Sequence, residues 1–413
     1  MMDAPVIVGI DIGTTKICTL VASVNDAGRL RILGVGIELS KGMRKGAVVD
    51  LDAAAQAVAH SIERAERTSG LEIDSALVSL AGSHVSSDNS RGVVGISGGT
   101  IDRDDVARVI EAARAVTIPH NREMIHVIQR GFVVDGQDGI RMPVGMHGYR
   151  LEVETHVITA AAATVENLRN VVESAGVTVS QFVLNPLASG EVALTQEERE
   201  MGVVVCDIGG GTTDMAVYIN GDVWHTMVLA VGGNHVSSDI AHGLHLPITK
   251  AEEIKLQHGH ALEDEIDPQE SFFVQPFGDE QPVQIGRRDL AHIIEARVEE
   301  IFSLVLQEIR RSGYDQLLPA GMVLTGGVSA LPGIRELARR VLEMPVHIAQ
   351  PTGLVGMVDQ LDDPAYATSV GLLRWAVLMN EFVDTYQSGR GRLYSAEGIN
   401  WEKVKDWLRR LLP

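Results

Sequence analysis

A chain of 413 residues exceeds what one hydrophobic core supports, and 45% hydrophobic with 22% charged residues describes a soluble globular protein of roughly three units. Its formal net charge of −20 opposes nonspecific contact with nucleic acid and with anionic membranes, so no nucleic acid is expected and a membrane contact needs a local exception. Cys18 and Cys206 lack a C-x-x-C spacing, which argues against a disulfide or zinc site and suits a reducing cytoplasm; neither a basic leader nor a long apolar run predicts secretion or membrane spanning.

Near the N-terminus VIVGIDIGTTK is an apolar strand that ends at Asp11 and turns through Gly13 into Thr14, Thr15 and Lys16. Residues 17–24 and 30–39 read as short strands joined by a turn at Asn25-Asp26-Ala27-Gly28. The basic stretch 41–45 reads as a solvated loop. Alanine-rich residues 52–69 form a helix stopped by Gly70, and 75–80 a buried strand. From 83 to 160 nothing repeats the chemistry of the first turn. A helix over 102–116 capped by Asp102, then strands over 125–134 and 149–160, describe an inserted α+β module that serves as a lid or as a protein-contact surface.

A helix over 164–174 and a strand over 177–183 lead to Asn185-Pro186 and a helix running to Thr195. Small residues Ala188, Ser189 and Gly190 permit close packing against a second helix, as a hinge between lobes requires; Pro186 also suits an ordinary first turn. Next comes VVVCDIGGGTTD, a buried strand ending at Asp207 and turning through Gly209, Gly210 and Gly211 into Thr212, Thr213 and a second aspartate. Glycines let successive backbone N–H groups converge on an anion, and an aspartate at the strand end can hold a hydrated Mg2+. The same strand and turn, present twice, predict two related subdomains facing one nucleotide.

Strands over 215–219 and 223–229 follow, then a helix beginning near Asn234 and another over 250–258, where Glu252 and Lys255 lie one turn apart and in isolation read as a surface ion pair. Residues 261–286 read as a loop or irregular hairpin. Residues 289–311 are a long amphipathic helix buried through Leu290, Ile293, Ile294, Val298, Ile301 and Leu304, with Arg297 and Glu300 outside that face. A strand over 322–325 ends in Gly326-Gly327, where a flat purine and its ribose can approach the backbone. The small-residue helix at 366–373 can face the one beginning at Ala188. After a flexible linker at 384–398, Asn400 caps a helix with Trp401, Val404, Trp407, Leu408, Leu411 and Leu412 on one side and Lys403, Lys405, Arg409 and Arg410 on the other side and its borders. At about 20 Å it is too short to span a bilayer and suits the interface of an anionic one, or else docks on the core as an ordinary terminal helix.

In this order these segments resemble the α/β ATPase core of the actin superfamily, built from duplicated ribonuclease-H-like subdomains, and within it the FtsA family of bacterial cell-division proteins. The residues that carry the resemblance are VGIDIGTTKIC, GMRKGAVVDL, CDIGGGTTDMAVY, AEEIKLQHG, LAHIIEARVEEIF, LTGGVSALPGI and YATSVGLL. The resemblance implies subdomains over 1–82 with 161–195, 196–231 with 313–383, and 232–312, with an SHS2-like insert at 83–160 and a membrane-targeting helix at 399–413. It implies ATP and Mg2+ as cofactors: Asp11 and Asp207 around the metal; Gly13, Thr14, Thr15, Lys16, Gly209, Gly210, Gly211, Thr212 and Thr213 at the phosphates; Glu252 and Lys255 at the ribose or base; Gly326, Gly327 and Val328 at the adenosine. It further implies self-assembly into filaments on the cytoplasmic side of the membrane at the septum. Contact with the C-terminal peptide of FtsZ would run through Arg297 and Glu300, and contact with later division proteins through the insert. One residue departs from the chaperone relatives, which carry Glu before the helix Pro to position water. Here Asn185 stands, which is not a general base, so slow or negligible hydrolysis is expected. A PilM-like pilus-assembly module and a sugar or carboxylate kinase are the rival readings; the kinase lacks a nominated Asp base, and the terminal helix favours the FtsA family.

Overall fold

In the computed structural model, which describes residues 6–24, 29–115, 118–278 and 281–387, the last eight as backbone alone, two sheets repeat one strand order. The first runs Leu30–Leu39, Lys16–Val24, Val6–Ile12, Ser75–Leu80 and Thr178–Leu184; the second runs Asp222–Leu229, Thr213–Ile219, Val203–Ile208, Gly321–Thr325 and Val346–Ile348. In each, three consecutive strands form an antiparallel meander and two later strands add in parallel beside its first member. The registers match, with Asp11 opposite Cys18 and Asp207 opposite Asp214. Val203–Ile208 and Thr213–Ile219 are buried at every position, as strands covered on both faces must be. A late strand, Val355–Gly356, pairs in parallel with Leu30–Leu39 and completes the first sheet from the far end of the chain.

Helices Asn185–Ala193 and Ala367–Gln387 share a core with both sheets. Leu187, Ala188, Val370 and Leu372 pack with Ile7 and Leu20 from the first and with Val203 and Tyr218 from the second. The helices meet at Gly371, where a Cβ would sit 1.9 Å from the Ala188 carbonyl oxygen. Only glycine fits that contact. The first helix ends at Ala193 rather than at Thr195, which caps a separate short helix, Gln196–Met201. Thr195 Oγ1 accepts from Glu198 N at 3.2 Å, and the Glu198 carboxylate accepts from Thr195 N at 2.8 Å. The second helix continues through Gln387, past the expected start of the linker at 384, because no Gly or Pro follows Gly371 until Gly389. The rest of that linker and the amphipathic segment 399–413 lie outside the described residues.

The insert is a sheet in the order Ser86–Gly95, Arg150–Ala161, Arg122–Val134 and Gln137–Ile140, backed by the helix Arg103–Arg114, whose capping box joins Asp102 and Asp105. Ser86–Gly95 was not expected as a strand, since only Gly92 of it is buried and no apolar alternation marks it. The ladder to Arg150–Ala161 holds it. One face of this sheet packs Phe132, Leu151 and Val153 against Val106 and Val109 of the helix. Elsewhere the sheet meets the edge strand Asp222–Leu229. His156 donates from Nδ1 to Asn89 Oδ1 at 2.8 Å and accepts at Nε2 from Thr226 Oγ1 at 3.0 Å, while the Arg130 guanidinium lies 4.5 Å over the Trp224 ring.

His126 joins the insert to both helices. Its Nε2 accepts the Leu184 N–H at 3.1 Å, directly before Asn185–Ala193, and its ring meets Trp375 of Ala367–Gln387 edge-on with centroids 5.4 Å apart. Burial pushes the imidazole down to about 4, and burial with the charges of His225, Arg130 and His126 pushes His156 down to about 3. A depressed folded value means that the folded protein binds fewer protons than the unfolded chain between the two. The His126 contribution is therefore complete above pH 6.5 and is lost as pH falls towards 4, about 3 kcal/mol in all. Urea unfolding across that range should show the loss. His126→Gln, whose amide oxygen still accepts from Leu184, should flatten the slope and leave the His156 share; an unaltered slope would exclude His126 as its source.

Candidate functional site

The two glycine-bearing turns close alike and face each other. Gly13 N–H donates to Lys16 O, and Gly209 N–H to Thr212 O, both at 2.9 Å. A Cβ on Gly211 would sit 2.4 Å from Thr14 Oγ1, and one on Gly210 would sit 2.3 Å from Thr15 Cγ2, so bare backbone of one turn lies against the threonines of the other. The start of the helix Gly233–Gly243 is bound to the second turn: Gly233 N–H donates to Gly209 O at 2.9 Å and Asn234 N–H to Gly210 O at 2.8 Å.

Behind the turns stand Asp11 and Asp207, only 6% and 7% exposed. Each is held by a hydroxyl of Ala367–Gln387: Ser369 Oγ donates to Asp11 Oδ2 and Thr368 Oγ1 to Asp207 Oδ2, both at 2.7 Å. Burial pushes Asp207 up to about 6, against the Thr368 bond and with the Asp11 charge adding. Asp214 accepts from Thr212 Oγ1 at 2.9 Å and is pushed well above the usual carboxylate range by burial and then by the Asp207 charge. In the adjoining strands Cys18 and Cys206 are buried free thiols, both pushed up chiefly by burial, Cys18 to about 12.

Lys16 reaches out of its turn to the segment ahead of the helix Ala367–Gln387. Its Nζ donates to Ala365 O and lies 4.3 Å over the Tyr366 ring. Thr213 is fully buried and donates its hydroxyl to Val231 O at 2.9 Å, which leaves it turned away from the opposing loop. Glu252 and Lys255 form a 2.7 Å ion pair, not an isolated surface one, because Ser237 Oγ donates to the Glu252 carboxylate and accepts from Lys255 Nζ at 3.0 Å. Val328 joins this cluster across Gly233, where a Cβ would sit 2.8 Å from Val328 Cγ2 and 3.4 Å from Lys255 Nζ. Gly326 N–H and Thr325 Oγ1 both donate to Pro364 O, at 3.1 and 3.2 Å, and Gly327 lies beside Ala365. Asn185 Oδ1 is buried with no hydrogen-bond partner.

Ser237, Thr368 and Ser369 carry no signal of these contacts in the sequence, where Asp214 shows only as the second aspartate of its turn. Asp214 closes the TTD of the second turn, and the Thr-Ser pair of YATSVGLL was noted only for its small size. Away from the cleft, Arg297 is only a quarter exposed, not free beside the buried face. Its guanidinium takes both oxygens of Asp239, one at 3.0 Å, and also contacts the exposed Glu300. Ile293 and Leu304 are partly buried, and Phe302, Val305 and Ile309 complete the buried face. The residues from Trp401 to Leu412 lie outside the described residues.

Among the described residues no group of three or more His, Cys, Asp or Glu gathers to ligate a metal. Two carboxylates with no third ligand suit a Mg2+ that takes most of its ligands from phosphate and water. The glycine-lined space against Thr14 and Thr15, together with the unpartnered Asn185 oxygen, suits a phosphate chain and its water. No helix of the described residues is long and apolar enough to cross a membrane.

A family model described as cell division protein FtsA matches residues 204–371, and one described as the SHS2 domain inserted in FTSA matches residues 82–159. The cell division protein FtsA of Pseudomonas aeruginosa is 39% identical over 98% of this chain and 97% of its own length. That of Escherichia coli is 37% identical over 99% of this chain and 98% of its own. Among solved structures, the PilM–PilN type IV pilus biogenesis complex is similar at TM-score 0.61 and 19% identity, covering 90% of this chain and 98% of that one. MreB5 of Spiroplasma citri bound to ADP is similar at TM-score 0.55 and 16% identity, covering 92% and 98%. The α/β architecture is thus the actin-like ATPase fold, with an SHS2 insert.

Proposed function

Because the chain belongs to the FtsA family of cell-division proteins, we propose that it is a nucleotide-gated membrane tether: it binds Mg–ATP between its two lobes and assembles into filaments on the cytoplasmic face of the membrane at the septum. In that role it links FtsZ filaments to the bilayer, and the insert receives later division proteins. The observation that carries the nucleotide reading is the pair of facing turns, each backed by a buried carboxylate. Bound Mg2+ would neutralise charge between the phosphates and the carboxylates. Around it Asp11 and Asp207 orient the metal's water shell, Thr14, Thr15 and the glycines 209–211 cradle phosphate, and Glu252, Lys255, Ser237 and Val328 border the adenosine. Assembly is the family reading.

Asn185 occupies the water-positioning place with an amide, which can orient a water and cannot take its proton. Nucleotide then acts as a conformational ligand more than as a fuel. The likeness to PilM is at an identity that speaks to fold alone, so a pilus-assembly role takes second place.

Purified protein should bind a fluorescent ATP analogue in a Mg2+-dependent way while turning over ATP below ~1 per second, the low end for dedicated kinases; faster turnover would contradict the role given to Asn185. Removing residues 399–413 should abolish co-sedimentation with anionic liposomes and leave analogue binding intact, and sedimentation that persists would remove the tail from the mechanism. Reversing the charges of Arg297 and Glu300 should weaken capture of the FtsZ C-terminal peptide by about tenfold. Because Arg297 also holds Asp239, the variant's unfolding midpoint must be followed alongside, and full capture by the folded variant would displace the contact.

A further inference from the structure

Residues 364–371 touch each part of the cleft in turn. Pro364 O accepts from the Gly326 backbone and the Thr325 hydroxyl, Ala365 O accepts from Lys16, Thr368 holds Asp207, Ser369 holds Asp11, and Gly371 meets the Ala188 carbonyl. A hydroxyl inside a helix ordinarily bonds back to its own carbonyls. Ser312 does so towards Ile309 O at 2.7 Å, and Ser174 towards Asn170 O at 2.6 Å. Thr368 and Ser369 instead reach sideways to strands of two different sheets. Consecutive helical side chains diverge by about 100°, so neighbouring positions suit a bridge between two bodies. Both are buried, at 5% and 0% exposure, and both donors are neutral, which leaves the charge of the two carboxylates available to a cation.

We infer that Thr368 and Ser369 are positioning residues that fasten one carboxylate from each lobe to a single turn of the crossing helix, and so convert a magnesium nucleotide in the cleft into movement of that helix against Asn185–Ala193. The inference rests on the nucleotide reading above. Asp11 and Asp207 re-aim when a cation draws on them, their hydroxyl donors follow, and the backbone contact at Gly371 passes the displacement to Ala188 without slack. Arg or Lys in these places would neutralise the carboxylates and compete with the metal.

The test uses the full-length chain carrying Thr368→Val and Ser369→Ala, singly and together, with Thr368→Ser as the variant that keeps the hydroxyl. Two quantities are read: the ratio of fluorescent ATP analogue affinity in Mg2+ to that in EDTA, and amide hydrogen exchange over residues 185–193 with and without Mg2+ and analogue. Losing a charge-assisted hydrogen bond should lower the Mg2+-to-EDTA affinity ratio by about tenfold, and exchange over 185–193 should no longer respond to saturating ligand. Thr368→Ser should behave as wild type. Equal loss of affinity in Mg2+ and in EDTA would reduce the pair to a structural role and overturn the inference, as would a wild-type ratio in the double variant. A wild-type protein that binds no analogue overturns the nucleotide reading itself. Ligand-free exchange over 185–193 then decides the fastening alone: about tenfold faster in the double variant supports it, and unchanged exchange overturns it. Each single variant is read in the same way, so a double variant that does not fold leaves the comparison intact.

Discussion

The backbone contact between Gly371 and Ala188 is the constraint on which the rest of the molecule depends. Two helices ordinarily pack through side chains with axes about 8–10 Å apart, and that spacing leaves freedom to slide. Here a Cβ would stand 1.9 Å from the opposing carbonyl oxygen, so side-chain cushioning is absent at the crossing point. Both helices are packed into one core with both sheets, Leu187 and Leu372 lying with Ile7 of the first and Val203 of the second. The relative angle of the two halves is therefore defined at one point. Everything that faces across the cleft, from Thr14 against Gly211 to Lys16 against Tyr366, inherits its distance from that crossing.

Electrostatics adds a second condition. Asp11, Asp207 and Asp214 are buried close together, and the partners they show are hydroxyls rather than cations. Desolvation and mutual repulsion raise Asp207 and Asp214 above the ordinary carboxylate range. Such a cluster is uncomfortable alone and is relieved by a cation or a proton. Folding energy has been spent to keep negative charge where water does not stabilise it, which is the arrangement expected of a functional site rather than of a core. Lys16, the nearest base in sequence to Asp11, has its Nζ on the Ala365 carbonyl and over the Tyr366 ring, and from there its charge offsets the rise of Asp207 only in part.

The duplicated turns were readable because their requirement is local: glycine where backbone must lie bare, an aspartate at a strand end, and a β-branched run before it. The same holds for the caps at Asp102 and Gly70, whose partners lie within one turn. Thr368 and Ser369 were opaque because their partners are 161 and 358 residues away, and a hydroxyl in an apolar helix looks alike whatever it will meet. Strand Ser86–Gly95 was missed for a related reason, since its register comes from a partner strand and its own residues are polar. Arg297 shows what helical spacing leaves out, although it does lie outside the buried face. Only the fold brings Asp239 beside it. Asn185 takes its expected place from the resemblance to the chaperone relatives, and the structure adds that its oxygen lacks a partner.

The short strand Val355–Gly356 bears on how the chain comes to be made. It pairs with Arg31 and Ile32 of the ten residues in Leu30–Leu39, so that part of the sheet edge waits until residue 356 has left the ribosome. Both carboxylates likewise wait for their hydroxyls, which lie still later in the chain. An amino-terminal half released early therefore presents an open strand edge, the kind of surface on which nascent chains aggregate or recruit chaperones. Contacts of such long sequence separation make folding slow, and they make it sensitive to truncation from the carboxyl side before residue 371.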